Sequence, residues 1–138
     1  MKRLAFCAVA AVLGGCATVD RLDGKLCEKT YDGMVPVEVV HVMNTNWRLL
    51  ACIPLGSGNP EIPNRCKCRM FTNTVTLDNQ LRMIEAEAKR VGAKRAVDVT
   101  SDSSKESVLF FLLKREKLHT SAVLVKDPDP VPAEAAAQ

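Results

Sequence analysis

The segment 77–91 constrains the fold most, because its apolar residues have the spacing of an amphipathic helix. They recur at intervals of three and four residues, which places them on one helical face: Leu77, Leu81, Ile84, Ala88 and Val91. Thr76 is the predicted N-cap, and Gly92 is the predicted residue after the C-cap. A helix with one apolar face has to bury that face, so a second layer of structure must lie against it.

The second layer is predicted to be a sheet, since the segments on both sides of the helix are rich in β-branched residues. The predicted strands are 35–43, 47–53, 95–100, 107–113 and 120–125. Between them we expect turns at 44–46 and 101–106, and an irregular Pro- and Gly-rich loop at 54–65. The order is therefore β-β-α-β-β-β, which predicts an α+β fold: a small antiparallel sheet with one amphipathic helix packed on one face.

The predicted strand 107–113 does not alternate between apolar and polar residues. Both of its alternating sets are apolar, namely Val108, Phe110 and Leu112 on one side and Leu109, Phe111 and Leu113 on the other. An antiparallel strand with one face in water alternates, and a single helix covers only one face of a sheet. We therefore expect the second side to be covered either by the chain's own cysteine-rich loop or by a partner or second copy of the chain.

The N-terminal segment has the layout of a secretory signal peptide. Two positive residues, Lys2 and Arg3, precede an uncharged apolar run, and small residues follow that run. The run is too short to span a bilayer. The segment ends in Leu13, Gly14, Gly15 and Cys16, which resembles the lipobox of bacterial lipoprotein precursors.

This resemblance implies that residues 1–15 are cleaved off and that Cys16 becomes a new N-terminus carrying a covalent lipid. Two acyl chains hold a protein stably on a membrane, whereas one chain anchors it only marginally. Ala17 stands where such lipoproteins carry an aspartate when they stay in the inner membrane. The expected location is therefore the bacterial cell envelope, at the periplasmic face of the outer membrane.

The rest of the chain divides by composition into three parts. Residues 16–26 are predicted to form a lipidated tether, 27–126 one globular α+β domain, and the Pro- and Ala-rich 127–138 a disordered tail. Loss of Lys2 and Arg3 with the leader lowers the net charge from +3 to +1. A nearly neutral chain does not favour nucleic acid as a partner, so none is expected.

Four cysteines remain in the expected domain, an even number in an oxidising compartment. This predicts two disulfides among Cys27, Cys52, Cys66 and Cys68. A bond between Cys66 and Cys68 would close a tight, strained ring. We therefore expect Cys27 and Cys52 to pair with Cys66 and Cys68, in either order.

A second resemblance covers the segment 76–99, which contains the helix, Gly92-Ala93 and a short Val-rich strand. It is similar to a unit in small envelope lipoproteins, among them the Rcs stress-sensor lipoprotein. The resemblance implies a lipidated, disulfide-stapled α+β domain in the envelope. It implies no particular sensing activity, because the matched segment contains no functional motif of that family.

Two alternative chemistries involve the cysteines and histidines. Cys66, Cys68, His41 and His119 have side chains that suit a soft metal such as zinc or copper. The Cys66-x-Cys68 pair, flanked by basic residues, is also a candidate for thiol exchange. Disulfide formation competes for the same thiols, so neither a metal nor any cofactor besides the lipid on Cys16 is expected.

The sequence contains no recognisable catalytic motif. His119 is followed by Thr120 and Ser121, but the G-x-S-x-G pattern of a serine hydrolase is absent, and we expect His119 to lie in a turn. The basic run 114–117 is predicted to be a solvated hairpin end, with contact to anionic lipid or cell-wall polymer as its functional alternative.

Together these features predict a membrane-anchored envelope lipoprotein that is not an enzyme. Its domain is expected to bind or sense another envelope component, either a protein partner or a second copy of the chain. The alternative is a metal-binding or thiol-redox protein that uses Cys66 and Cys68.

Overall fold

A computed structural model describes residues 15–24, 31–50, 52–65, 67–109 and 112–128. Within these ranges the chain forms an antiparallel sheet of six strands and one helix, which confirms the α+β class. The elements are β1 (Ala17–Asp23), β2 (Val35–Leu49), β3 (Ile53–Gly58), β4 (Cys68–Met70), α1 (Leu77–Val91), β5 (Arg95–Leu109) and β6 (Leu113–Lys126). Most of the predicted signal peptide and of the predicted tail lies outside the described residues.

The sheet is built around two long strands, β2 and β6, which pair along their whole length. The strand order is β4-β3-β2-β6-β5. On the other edge of β2, β1 pairs with residues 38–44 and β3 with residues 46–49. The order along the chain, β-β-β-β-α-β-β, differs from the predicted one in three ways. The predicted strands 35–43 and 47–53 merge into β2, strands β1, β3 and β4 were not anticipated, and the predicted strand 107–113 is divided between β5 and β6.

The helix α1 has the predicted bounds and caps. The Thr76 hydroxyl accepts a hydrogen bond from the Asn79 N–H at 3.3 Å, and Gly92 adopts a φ of 67° that suits a glycine. Its buried face is rotated from the predicted one, since Leu77 and Leu81 are 51% and 44% exposed. Polar side chains share the buried face, since Gln80 and Glu87 are buried and Gln80 donates from Nε2 to the Leu118 carbonyl at 2.9 Å.

The main core lies between α1 and one face of the sheet. It contains side chains from the helix and three strands: Ala17, Val19, Val40, Val42, Met83, Ile84, Ala122 and Leu124. The even-numbered residues of β2 and β6 point to this face because side chains alternate along a strand. The prediction that one helix packs on one face of the sheet is confirmed.

The predicted turn at 44–46 is wrong, since these residues continue β2. The side chain of Asn44 donates from Nδ2 to the Thr74 carbonyl at 2.8 Å, and that of Asn46 donates to Asn73 Oδ1 at 3.2 Å. Asparagines favour turns when they bond to their own backbone. Here a distant segment that crosses the sheet supplies the partners instead.

Three further predictions are corrected. Residues 54–58 of the predicted loop belong to β3, and the predicted turn at 101–106 lies inside β5. The predicted tether 16–26 is also wrong in its central part, because Ala17–Asp23 is strand β1 of the sheet. Pairing with a neighbouring strand satisfies the backbone of each segment, which its local composition does not reveal.

The apolar segment 107–113 is not one buried strand. Its described residues end β5 and begin β6, with Val108 51% exposed and Leu112 40% exposed. Leu109 pairs with Leu113 at the end of this long hairpin. No described segment of the chain covers these two residues, which lie at one end of the sheet, and cover by a partner or second copy stays a prediction.

Candidate functional site

Cys16 lies at the point where the chain enters the sheet. Its side chain is exposed, whereas the neighbouring Gly15 and Ala17 are buried. The Cys16 carbonyl accepts a hydrogen bond from the Thr45 N–H at 3.0 Å, and the Ala17 carbonyl accepts one from the Asn64 N–H at 2.8 Å. The backbone at Cys16 is thus held by two neighbouring segments while its thiol faces solvent.

Glycine at position 58 permits this close approach. A Cβ atom there would clash with the backbone of Cys16 and Ala17 and with Asn44 Oδ1. Since the atoms in its way are mostly backbone, they have no rotamer to move to, and a larger residue would displace the start of β1. The entry point of the chain is therefore part of the packed body.

Asn64 satisfies the outer edge of β1. Its Oδ1 accepts from the Val19 N–H at 2.8 Å, and its Nδ2 donates to the Val19 carbonyl at 3.0 Å. Asn64 adopts a φ of 61°, a left-handed conformation that asparagine tolerates better than most residues. One side chain thereby imitates the pairing of a neighbouring strand and protects an exposed sheet edge.

A charged network fastens β1 to the helix. The guanidinium of Arg21 donates to both carboxylate oxygens of Glu87, at 2.9 and 2.8 Å. Arg90 bonds to Glu87 at 2.6 Å and to Glu38 of β2 at 2.8 and 2.6 Å. The hydrogen bonds from Arg21 lower the pKa of Glu87, against the burial that raises it, and those from Arg90 lower it further.

The face of the sheet opposite α1 carries a second group of polar side chains, which we call the open face. His41 of β2 and His119 and Ser121 of β6 lie together there, next to Thr100 and Asp102 of β5. They line a shallow cavity of about 400 Å³, together with Ser101. The register explains the grouping, since His41 is paired with Ser121 and His119 with Asp102.

The two histidines are linked to each other and to the serine. His41 Nδ1 lies 2.8 Å from Ser121 Oγ, and His41 Nε2 lies 3.4 Å from His119 Nδ1. The rings stack with centroids 5.6 Å apart. Because each neutral imidazole has one donor and one acceptor nitrogen, this chain of contacts fixes related tautomers for both rings. His119 lies within β6, so its predicted place in a turn is wrong.

A bulge in β5 borders this cavity. The register with β6 shifts between Val97 and Thr100, and Asp98 within the shift adopts a φ of 51°. The Tyr31 hydroxyl donates to Asp98 Oδ2 at 3.1 Å. Bulges re-aim side chains and are common beside functional sites.

Nucleophilic catalysis by Ser121 would need N–H groups that stabilise an oxyanion, in addition to a neighbouring base. The contact of Ser121 with His41 resembles a nucleophile beside a base. However, β6 pairs with β2 on one edge and with β5 on the other at this position. The backbone N–H groups around Ser121 are therefore engaged in the sheet rather than presented to an oxyanion. The open face is better suited to hydrogen-bonding a polar ligand.

The candidate metal ligands are brought together only in part. His41 and His119 are neighbours, whereas Cys68 lies on β4, separated from β2 by β3. Cys66 and Cys27 lie outside the described residues. In the parts of the chain that the structure describes, no three His, Cys, Asp or Glu side chains form a group that holds a metal ion.

The described thiols of Cys52 and Cys68 are free and exposed. Cys52 precedes the first residue of β3, and Cys68 pairs with Gly58 at its last residue. At about 3.3 Å per residue the two cysteines are some 17–20 Å apart, beyond the reach of a disulfide. The structure records no bond between these two thiols, and the disulfides predicted with Cys27 and Cys66, which lie outside the described residues, stay a prediction.

Comparison with known proteins finds no matching family model, no matching curated protein and no matching solved structure. Over the described ranges, no helix combines the length and the apolar character needed to cross a bilayer. Sequence reasoning singled out Cys16, His41 and His119, but it missed the partnership with Asp102 and Thr100 and the role of Asn64. These depend on strand register, which joins residues as far as 80 positions apart.

Proposed function

We propose that this chain is a lipid-anchored protein of the bacterial envelope, attached through Cys16 to the periplasmic face of the outer membrane. In this proposal it is not an enzyme, and its domain binds another envelope component. The covalent lipid on Cys16 is the one non-protein group in this proposal. The observation that carries the proposal is the lipobox-like sequence ending at Cys16, together with the exposed thiol of that residue at the edge of the folded body.

The surroundings of Cys16 support an anchor that is joined to the folded domain without a spacer. The next residue, Ala17, begins β1 and is buried, so the chain contains no flexible spacer between the modified sulfur and the sheet. The network of Arg21, Glu87 and Arg90 holds the same strand against the helix. A lipid on Cys16 would therefore restrict the orientation of the domain on the membrane.

The open face supports the binding role. It presents hydrogen-bonding side chains around a cavity of about 400 Å³, and none of them is needed to fill the core under α1. Specific ligand orientation in proteins rests on a few such convergent polar groups. The ligand we propose is a polar envelope component that accepts and donates hydrogen bonds, with His119 and Ser121 among its contacts.

The anchor is tested by the intact mass of the protein isolated from bacterial envelopes. The expected mass is that of residues 16–138 plus acyl and glyceryl groups on Cys16. The matched variant Cys16→Ala should keep its leader and incorporate no labelled palmitate. A wild-type protein with its leader attached, or with no added lipid, would contradict the proposed anchoring.

The binding role is tested with a photo-reactive residue in place of Asp102 on the open face. The expected result is a covalent adduct with one envelope component in intact cells, which disappears when His119→Ala is added. The control places the same group at Arg82, whose side chain is 72% exposed on the helix. Identical adducts at both positions would show that proximity alone explains the labelling.

The alternative function, thiol or metal chemistry at Cys66 and Cys68, keeps one observation in its favour: the Cys68 thiol is exposed on β4. A count of free thiols in protein taken from the envelope separates the two. Absence of free thiols supports disulfides, whereas reactive thiols or bound zinc would favour the alternative.

A further inference from the structure

Large apolar side chains are exposed at one end of the sheet, where the β2–β3 turn meets the β5–β6 hairpin. We call this the apolar end, and its described members are Leu50, Ile53, Met70, Phe71, Val108 and Leu112. Phe71 alone is 71% exposed. Scattered apolar residues on a surface are ordinary, but a contiguous group marks a site of interaction.

Hydrogen bonds hold the members of the apolar end in one place. The Leu50 N–H donates to the Leu112 carbonyl at 2.8 Å, which joins the β2–β3 turn to the β5–β6 hairpin. On the other side, the Phe71 N–H donates to the Leu55 carbonyl at 3.4 Å. Ile53, Met70 and Val108 lie on strands, and Leu50, Phe71 and Leu112 each lie one residue beyond the end of a strand.

The strands directly behind the apolar end carry a positive charge. Residues 45–49, 104–109 and 113–117 contain five basic side chains against two acidic ones, Glu106 and Glu116. Arg115 lies over the Trp47 ring at 5.6 Å. Glu116 pairs with Arg48 and Lys105, and Glu106 pairs with Arg115 and Lys117, which leaves Lys114 without an ion pair among the described residues. Apolar side chains followed by lysines and arginines are typical of surfaces that enter the headgroup region of anionic membranes.

The position of Cys16 is also consistent with a membrane at the apolar end. Cys16 is bonded to Thr45, four residues before the end of β2, so the attachment point lies about 13 Å along the strand from Leu49. A lipid there would hold this half of the sheet close to the membrane surface. This step rests on the proposed anchoring, whereas the apolar end and its positive charge do not depend on it.

We infer that the apolar end inserts into the interfacial layer of an anionic bilayer. Its apolar side chains enter the acyl boundary, and Lys114 contacts the phosphates behind them. Arg48 and Lys117 reach the same layer by exchanging Glu116 and Glu106 for phosphate. The strands then stand at a steep angle to the membrane, and the far end of the sheet, including the β1–β2 region around Glu38, projects into the aqueous phase.

The test places a photo-reactive diazirine residue at Val108 or Leu112 in the full chain and illuminates intact cells. Leu77 and Leu81 of the helix are matched controls, because they are 51% and 44% exposed against 51% and 40% for the two test positions. We expect phospholipid adducts at Val108 and Leu112 and none at the helix positions. A second measurement adds Lys114→Glu, which should reduce the yield of adduct at Leu112.

Every other outcome overturns the inference. Equal lipid labelling at the helix would mean that the whole domain lies near lipid without a preferred end. Adducts with a protein or with a second copy of the chain would show that the apolar end is a protein interface. If no adduct formed, the apolar end would be exposed to water. The intact mass of Cys16 is read in the same samples. A lipidated protein with an unlabelled end disproves the insertion only, whereas a labelled end on an unlipidated protein disproves the anchoring only.

Discussion

The two faces of the central strands β2 and β6 differ in what covers them. On the covered face, Val40, Val42 and Leu124 are fully buried beneath α1. On the open face, the same two strands present His41, His119 and Ser121 around a cavity. Alternation along a strand separates these sets completely, so residues that are adjacent in sequence contribute to different properties. The even-numbered face holds the larger buried cluster, whereas the odd-numbered face combines a smaller cluster around Val123 and Val125 with the polar side chains of the proposed binding site.

The largest expected effect comes from the covered face. Leu124→Ala should lower the free energy of unfolding by about 3 kcal/mol, because it leaves a cavity between β6 and α1. Urea unfolding measures the loss. Leu81→Ala, which truncates an exposed leucine of the helix, is the control and should change stability by less than about 0.5 kcal/mol. Equal losses would mean that the helix buries a different face.

The next effect concerns the polar residues buried under the crossing segment. Asn44→Ala should cost about 1–3 kcal/mol, because the carbonyl of buried Thr74 loses a hydrogen bond at a site with no access for water. Asn79→Ala removes another donor to the same carbonyl from a half-buried position and should cost less. The order of the two values, measured by thermal or urea unfolding, is the test. A larger loss for Asn79→Ala would contradict it.

A smaller effect is expected at the charged network of β1. Arg21→Met should lower the free energy of unfolding by about 1 kcal/mol at neutral pH. The loss is small because Arg21 is half-exposed and because Glu87 keeps Arg90 as a partner. The folded pKa of Glu87 is lowered, so this stabilisation is fully present above its ordinary pKa of about 4.5 and is lost as the pH falls through the lowered value.

Unfolding measured at pH 7 and at pH 3 therefore should show a difference between wild type and Arg21→Met that shrinks with acid. Glu87→Gln removes the titrating group and is the matched control. In that background Arg21→Met should have an effect that depends much less on pH, because only the longer contact of Arg21 with Glu38, at 3.7 Å, is left. If the difference between wild type and Arg21→Met were larger at pH 3 than at pH 7, the ion pair with charged Glu87 would not be what stabilises the fold.

The smallest effect on stability is expected on the open face. His119→Gln should change the free energy of unfolding by less than about 1 kcal/mol, because the ring is half-exposed and fills no core position. The same variant should lose the photo-adduct formed from position 102. Loss of folding with His119→Gln would mean that the histidine pair is a structural element rather than a binding site.

Local signals predict the helix well and the sheet only in part. The caps of α1 are decided by Thr76 and Gly92, which act within one turn, so the sequence reveals them. The identity of its buried face depends on Gln80 and Glu87, whose partners lie on distant strands. Hydrophobic spacing alone therefore placed Leu81 inside, although it is exposed.

The candidate site follows the same division. Cys16 is recognisable from the residues before it, because the pattern is contiguous. The grouping of His41 with Ser121 depends on register between two strands, and the course of β1 depends on Asn64 and Arg21. The strand patterns at 35–43 and 120–125 were visible in the sequence, but the pairing between them was not.

The absence of a spacer after Cys16 has a consequence for how far this protein can search. Thr45, which is bonded to Cys16, pairs with Lys117, so β6 extends about 30 Å from the level of Cys16 to Lys126. If Cys16 carries the proposed lipid, a domain of that height samples a thin layer next to its own leaflet. Any component that it bound would then have to come to the membrane, since β1 begins at Ala17 and leaves no stalk between Cys16 and the sheet.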